Sequence, residues 1–521
     1  MKNDETTGSS DATSSDELKA RNQLTGPQFF SMTISMVLTA YGFAAFALNG
    51  AVAIFFLFIA GILWFVPVTR TAGEMASIDG WERGGVFTWT KATLGDLPGW
   101  ASIFYQWIHI TVGINTMMYF AIGCLSISVG FPFMNDNPVM RFFFQMLILW
   151  SLIVIQQRGT KTTGKIAQWC FLLGVALPTI FLLLVFIIYL AKGNKMLITI
   201  NWHTIFPKNY QFATLVGLVP FVLAFAGADG SATHVKDLKN PRVYPKAMML
   251  LAIIAIATDI IGSLSIAGTI PVDKIQLSTG VVYAYGYIVA KLGFSAAMVQ
   301  VTQTILGVLF AIGILGIISG WVVGPNAGMH EAALQGYMPK IFTKTNRWGI
   351  ETNLMILQGI VVSLMGAYLT FGAGGTSSNV SFRTAMGLTV AIYMVMYMTM
   401  FVGYLVLQFK HNDIHRVFLA GRTHIMRILI GISGFLLSLL SFIVTFFAPT
   451  GYTVAQGHTY TKMLLVAFTI VLVIPFIMYA FRKKWAKEVG FSIEDAKEDR
   501  KRLLAPGKPS DDDAKVATEE D

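Results

Sequence analysis

Residues able to do chemistry are scarce in this chain, and the most informative of them sit inside apolar sequence. The stretch Leu218–Asn240 reads LVPFVLAFAGADGSATHVKDLKN. It starts as an apolar helix, then sets Gly227, Ala228, Asp229, Gly230 and Ser231 in line, followed by Thr233 and His234. A pair of glycines so close together weakens a helix by about 2 kcal/mol relative to alanine. An aspartate at the centre of a bilayer costs about 2.5–3.5 kcal/mol on insertion scales. Together they predict a helix broken at membrane depth, because lipid cannot satisfy the freed backbone groups and a cavity or ligand must. Secondary transporters build substrate sites in this way. The plainer alternative is a buried kink whose aspartate is only hydrogen-bonded.

A second interruption gives the first one meaning. Thr39–Asn49 reads TAYGFAAFALN, with Gly42 inside a helical run. A midplane pocket between the two breaks would draw Tyr41, Gly42, Phe43, Ala44 and Ala45 from one side. It would draw Phe225, Ala226, Gly227, Ala228, Asp229 and Ser231 from the other. His109 (in YQWIHITVGIN), Asn115, Trp321 and Tyr393 are expected to complete its lining. Backbone N–H groups at a half-helix N-terminus would bind an α-carboxylate. Carbonyls freed around Tyr41–Phe43 and Ala226–Gly227 would accept an ammonium, with Asp229 adding charge near the amine. Asp229, Asp259 and His109 are the candidates for proton or charge coupling. Tyr393, Tyr397 and Tyr404 recur at helical spacing and are expected chiefly to pack, with Tyr393 at midplane depth.

Other chemistry finds little support. The histidines are dispersed, no HExxH or GxSxG motif occurs, and no metal or cofactor is expected. Cys124 and Cys170 lie in apolar spans and read as buried hydrophobes. Gly159–Lys165, GTKTTGK, resembles a phosphate-binding loop only in part, since Ile166 stands where Ser or Thr is required. A channel would need a continuous polar pore or a charged ring, and the ionisable residues are scattered. A sensor that binds an amino acid without moving it is a further class that the sequence leaves open. The glycines Gly316, Gly320 and Gly324 form GxxxGxxxG, a pattern expected to bring helices close together.

The elements that position these residues follow from composition. Of 521 residues, 55% are hydrophobic and 13% charged, against about 25% charged in soluble proteins. Apolar stretches recur from Phe29 to Phe481, each long enough for a bilayer core of about 30 Å. The chain therefore reads as an all-α polytopic membrane protein of about twelve transmembrane helices. Spans 1 and 6 are the interrupted ones, each opening a half of five helices, which points to a five-plus-five inverted repeat followed by two C-terminal helices. The expected division is a polar tail over residues 1–24, a transporter domain over 25–482 and an acidic tail over 483–521. Within the domain, the first repeat covers about 25–195, the second about 205–410, and helices 11 and 12 about 420–482. Residues 70–95 read as a polar re-entry, and 448–461 as an outer loop without lysine or arginine.

The net charge of +10 does not indicate nucleic acid. The basic residues cluster beside span ends on one side, which predicts cytoplasmic termini by the positive-inside rule and the lipid bilayer as the partner.

The blocks SMVLTAY, ILWFVPV, EMASIDGWERGGVFTW, SATHVKDLKNP, YPKAMML, GSLSIAGTIP and WVVGPNAGM stand in order between Gln23 and Arg482. On them the chain resembles the bacterial glutamate:γ-aminobutyrate antiporter family, within the amino acid–polyamine–organocation superfamily. The resemblance implies exchange of an external amino acid for its decarboxylation product, functionally coupled to a cytoplasmic decarboxylase, in acid resistance or generation of proton-motive force. Glutamate-type members typically carry a YEYPTFA-like span 1, a glutamate at the span 6 break and a glutamine on span 3. Here Tyr41–Ala47 reads YGFAAFA, and Asp229 and His109 occupy the other positions. These departures favour a neutral aromatic or imidazole side chain, of histidine/histamine or tyrosine/tyramine type. Glutamate/γ-aminobutyrate exchange is the alternative, with proton-coupled symport or uniport behind it.

Overall fold

The structure, a computed structural model, describes residues 25–81, 84–158, 168–232, 238, 240, 243–372 and 378–505. The polar N-terminal tail, residues 510–521, the GTKTTGK stretch, Thr233 and His234 lie outside the described residues.

Ten helices among the described residues are long and apolar enough to cross a bilayer. They alternate with shorter ones. In chain order, α1 is Gly26–Val37, α2 Phe43–Ala47, α3 Val52–Ala76 and α4 Val86–Leu94. Next come α5 (Asp96–Ser128), α6 (Pro138–Gln156), α7 (Gln168–Ala191), α8 (Phe212–Ala224) and α9 (Ala228–Ala232). The second half continues with α10 (Val243–Ala267), α11 (Gly280–Lys291), α12 (Ala296–Leu334), α13 (Thr352–Gly372) and α14 (Ser378–Lys410). The chain ends in α15 (His424–Thr445), α16 (Val454–Ala480), α17 (Arg482–Val489) and α18 (Ile493–Leu503).

The apolar stretches left outside the ten are the two expected to be discontinuous. The first breaks between Val37 and Phe43, and the second between Ala224 and Ala228, where Gly227 takes φ +98°. That left-handed value is accessible to glycine and costly to other residues. Each break opens one half of the five-plus-five arrangement, and α15 and α16 follow. Helix α5 lies at the centre, packed against both α12 and α14. The most apolar windows of α5 and α14 are 72% and 67% buried, against 22% for α6, which identifies α6 as peripheral.

Several boundaries differ from those read in sequence. Residues 70–76, expected in a polar re-entry, continue α3, because the charge of Glu74 is neutralised inside the protein. The turn back comes at Gly80, Gly84 and Gly85, all with positive φ. Val454 onward, expected as outer loop, is already α16, started by a capping box between Thr453 and Gln456. Helix α12 runs past Pro325, since the Trp321 carbonyl freed by that proline accepts from Gln358 Nε2 at 3.3 Å. Gly320 and Gly324 face open space, so the close approach expected of them is made instead by Gly313 against Gly174 of α7.

The tail read as acidic from residue 483 begins as α17 and α18, which dock on the bundle through basic and apolar residues. Arg482 Nη1 donates to Asp96 Oδ2 at 2.6 Å, Arg500 Nε to the Ala92 carbonyl at 3.0 Å, and Trp81 Nε1 to the Leu503 carbonyl at 2.9 Å.

At this same end Glu74 is fully buried and closes α3 onto α14 and the segment after it. Its Oε1 accepts from Arg416 Nη1 at 2.5 Å and Gln408 Nε2 at 2.8 Å, with Arg427 Nη1 3.9 Å away. Its Oε2 accepts from Tyr404 at 2.8 Å and from the Ala420 N–H at 2.9 Å.

Candidate functional site

The second break places Asp229 in the first turn of α9, buried to 4% exposure. Among the described residues its carboxylate is engaged by uncharged donors alone. Oδ1 accepts from Tyr397 at 2.7 Å and from Tyr393 at 2.9 Å, and Oδ2 accepts from Gln106 Nε2 at 3.0 Å. The two tyrosine hydroxyls also touch one another. Tyr393 further accepts the N–H of Gly227 at 3.1 Å, so one side chain holds both the break and the acid beside it. This one-turn spacing on α14 brings both hydroxyls to the same carboxylate.

Aromatic rings fix these tyrosines. The His109 ring stacks on Tyr393 with centroids 3.9 Å apart. The Trp64 ring meets Tyr397 edge-on at 4.8 Å, while its Nε1 donates to Ser438 at 3.0 Å. Trp64 lies in a π turn, Gly61–Phe65, that interrupts α3. Such turns recur at functional sites because they re-aim side chains.

Beside this cluster lies a cavity of ≈ 50 Å³, lined by Tyr41, His109, Ala226, Gly227, Trp321 and Thr389 among others. At about 10–15 Å³ per water it holds a few waters, and an amino acid needs some side chain to move. A larger space of ≈ 430 Å³ opens toward the end opposite Glu74, between Ala45, Asn49, Val219, Pro220, Arg383 and Tyr452. Pro220 and Leu223, which line one space each, are neighbours along α8.

The structure thus gathers Tyr41, His109, Ala226, Gly227 and Trp321 around the cavity, with Asp229 and Tyr393 directly behind. Other expected lining residues lie elsewhere. Asn115 accepts from Gln145 Nε2 at 3.3 Å in a helix interface, since helical spacing alone does not tell cavity from interface. Phe225 packs on Phe65, with centroids 5.1 Å apart. Phe43 covers Gly262, Ala44 faces Gly280, and the space beside Gly42 is filled by the ring of Phe46. Ala45 lines the larger space instead. Ala228 and Ser231 belong to α9 through their backbone.

Asp259 is 4% exposed on α10, near enough to Tyr41 to act on its hydroxyl electrostatically. Among the described residues its carboxyl has no hydrogen bond or ion pair. Tyr397 and Gln106 are the partners that sequence reasoning missed. The signal for Tyr397 is its one-turn spacing from Tyr393, a spacing that packing alone also explains. Among the described residues no group of His, Cys, Asp or Glu is arranged to hold a metal ion.

The amino acid permease family matches residues 24–473. The chain is 39% identical over 479 residues to the glutamate/γ-aminobutyrate antiporter of Lactococcus lactis subsp. lactis, covering 92% of this chain and 94% of that protein. It is 40% identical over 457 residues to the antiporter of the same name from Lactococcus lactis subsp. cremoris, covering 88% and 90%. Among solved structures, a mutant of the manganese transporter of Eremococcus coleocola superposes with TM-score 0.52 at 12% identity, covering 88% of this chain and 94% of that one. That likeness concerns the fold.

Proposed function

The chain belongs to the amino acid permease family, and from that premise we propose that it exchanges external glutamate for internal γ-aminobutyrate across a bacterial cytoplasmic membrane. The observation that carries this reading is the 39% and 40% identity to antiporters of that pair over nine-tenths of the chain. The histidine/histamine or tyrosine/tyramine preference read from the departures in span 1 gives way to the acidic pair. The geometry supports the change. Gly42, Ala44 and Ala45 leave no slot for a substrate ring at the centre, and the rings of Tyr41, His109 and Trp321 already line the cavity.

In this reading the substrate occupies the central cavity between the two breaks, and its ammonium meets the negative charge of Asp229. Asp259, buried without a partner among the described residues, serves as a second acceptor for the ammonium or a proton. Both ligands carry an ammonium and a carboxylate, so one site accepts either in turn. The network around Glu74 closes one end while the outer space is open at the other, as alternating access requires of a single state. The basic end lies in the cytoplasm with both termini.

Near neutral pH glutamate has a net charge of about −1 and γ-aminobutyrate about zero. Each exchange then carries one negative charge inward, worth about 2.3 kcal/mol per 100 mV. A cytoplasmic decarboxylase that consumes a proton while making the product would complete a cycle resisting acid.

Counterflow in proteoliposomes tests this. Vesicles loaded with γ-aminobutyrate should take up labelled glutamate many times faster than empty vesicles. Equal uptake into empty vesicles would overturn exchange. Stimulation by internal histamine or tyramine alone would restore the neutral pair.

A further inference from the structure

Helix α14 carries residues from one compartment to the other along one face: Arg383 and Met386 in the outer space, Thr389 at the central cavity, then Tyr393 and Tyr397 at Asp229. Arg383 stands about 15 Å along the helix axis from Tyr393, at 1.5 Å per residue. It is half-buried in the wall of the ≈ 430 Å³ space, with its guanidinium 5.2 Å from the Tyr452 ring centroid. Among the described residues it forms no ion pair. The other charged residue lining this space is Asp273, which is exposed on a short turn, Val272–Lys274, following α10.

We propose that Arg383 forms an outer subsite that captures the side-chain carboxylate of an incoming acidic amino acid before it enters the central cavity; this rests on the exchange reading above. A guanidinium without a carboxylate partner, set in a concave wall, concentrates anions at the mouth. Its planar fork matches a carboxylate with two parallel hydrogen bonds. Tyr452 flanks the guanidinium through its ring and interacts with it through its hydroxyl, and the five N–H donors of an arginine leave others for a ligand. An α-carboxylate is a poorer partner, because the neighbouring ammonium is repelled by the same cation. A side-chain carboxylate is separated from its ammonium by methylene groups and docks while the ammonium stays free for Asp229 deeper in. The subsite therefore selects a net-negative amino acid over its neutral amide.

The test uses full-length protein in vesicles loaded with γ-aminobutyrate, measuring uptake of labelled glutamate and its inhibition by external glutamine. Arg383→Ala and Arg383→Gln should raise the KM for glutamate about tenfold, equivalent to about 1.4 kcal/mol. Maximal rate and inhibition by glutamine should stay within a factor of about two, because neither uses the pair. Arg383→Lys keeps the charge without the fork and should recover only part of the loss. Should the alanine variant fail to fold, the glutamine variant gives the same readout. Exchange with an unaltered glutamate KM, or equal losses for glutamate and glutamine, would overturn the role of Arg383 alone. Absence of exchange in the unaltered protein would overturn both this role and the reading it rests on.

Discussion

Asp229 and Glu74 are both buried carboxylates, and α14 gives each a tyrosine hydroxyl: Tyr397 to Asp229 at 2.7 Å and Tyr404 to Glu74 at 2.8 Å. The two tyrosines stand two helical turns apart. What differs is the rest of the shell. Glu74 has Arg416 at 2.5 Å and Arg427 at 3.9 Å, so its charge is cancelled where it sits. Asp229 has, among the described residues, two hydroxyls and an amide, which orient the carboxylate without cancelling its charge. Burying an unpaired charge is costly unless a partner arrives. The contrast separates two kinds of buried acid: one matched by arginine holds the structure closed, and one held, among the described residues, by neutral donors keeps a charge that the proposed exchange puts to use.

The comparison can be broken first at Glu74. Glu74→Gln leaves Arg416 buried without its carboxylate, a loss of about 3–5 kcal/mol. The expected result is a large drop in thermal stability and in yield of folded protein in detergent. Adding Arg416→Met should return much of it, because replacing both partners removes the uncompensated charge. A Glu74→Gln protein as stable as the original would show that this ion pair does not hold the closed end.

Matched removal of the two hydroxyls sharpens the contrast. Tyr404→Phe and Tyr397→Phe each delete one hydrogen bond to a charged group, about 1.5–3 kcal/mol. The first should appear in the melting temperature with exchange kinetics kept. The second should appear mainly in the KM and rate of exchange. Identical profiles would mean that the two carboxylates play the same part. A smaller effect, about 1 kcal/mol, is expected of Trp64→Phe. It deletes the hydrogen bond to Ser438 and keeps an aromatic edge on Tyr397. Exchange should fall modestly, as measured by initial rates.

Sequence reasoning reached the parts of this arrangement that rest on local chemistry. Gly227 and Asp229 inside apolar residues specify a break, and Gly42 at the corresponding position specifies its partner. Their depth, and the all-helical class, follow from the lengths of apolar runs. Glu74 was invisible as a structural centre because its partners, Tyr404, Gln408 and Arg416, lie more than 300 residues away in sequence. Asn115 was misplaced because a helix buried on most of its circumference gives no periodic signal to separate interface from cavity. The run through Pro325 needed Gln358 from another helix to satisfy a carbonyl. The neutral-ring preference drawn from small residues in span 1 fits the relatives less well than the acidic pair, since whether a small side chain leaves space depends on what the fold brings opposite it.

In the proposed exchange the charge of Asp229 receives the ammonium of the transported ligand. The most direct test of this claim is the binding of γ-aminobutyrate and glutamate to purified Asp229→Asn, beside the unaltered protein. Asparagine keeps the shape and an oxygen for Tyr393 and Tyr397, so the fold and melting temperature should hold. Affinity for γ-aminobutyrate, whose ammonium is its sole cationic handle and lies at the end of a flexible chain, should fall about tenfold or more, equivalent to about 1.4 kcal/mol or more. Glutamate, anchored also by a second carboxylate, should lose less. Equal losses for the two ligands, or none for either, would contradict the claim and leave Asp229 as a buried acid that only shapes the break.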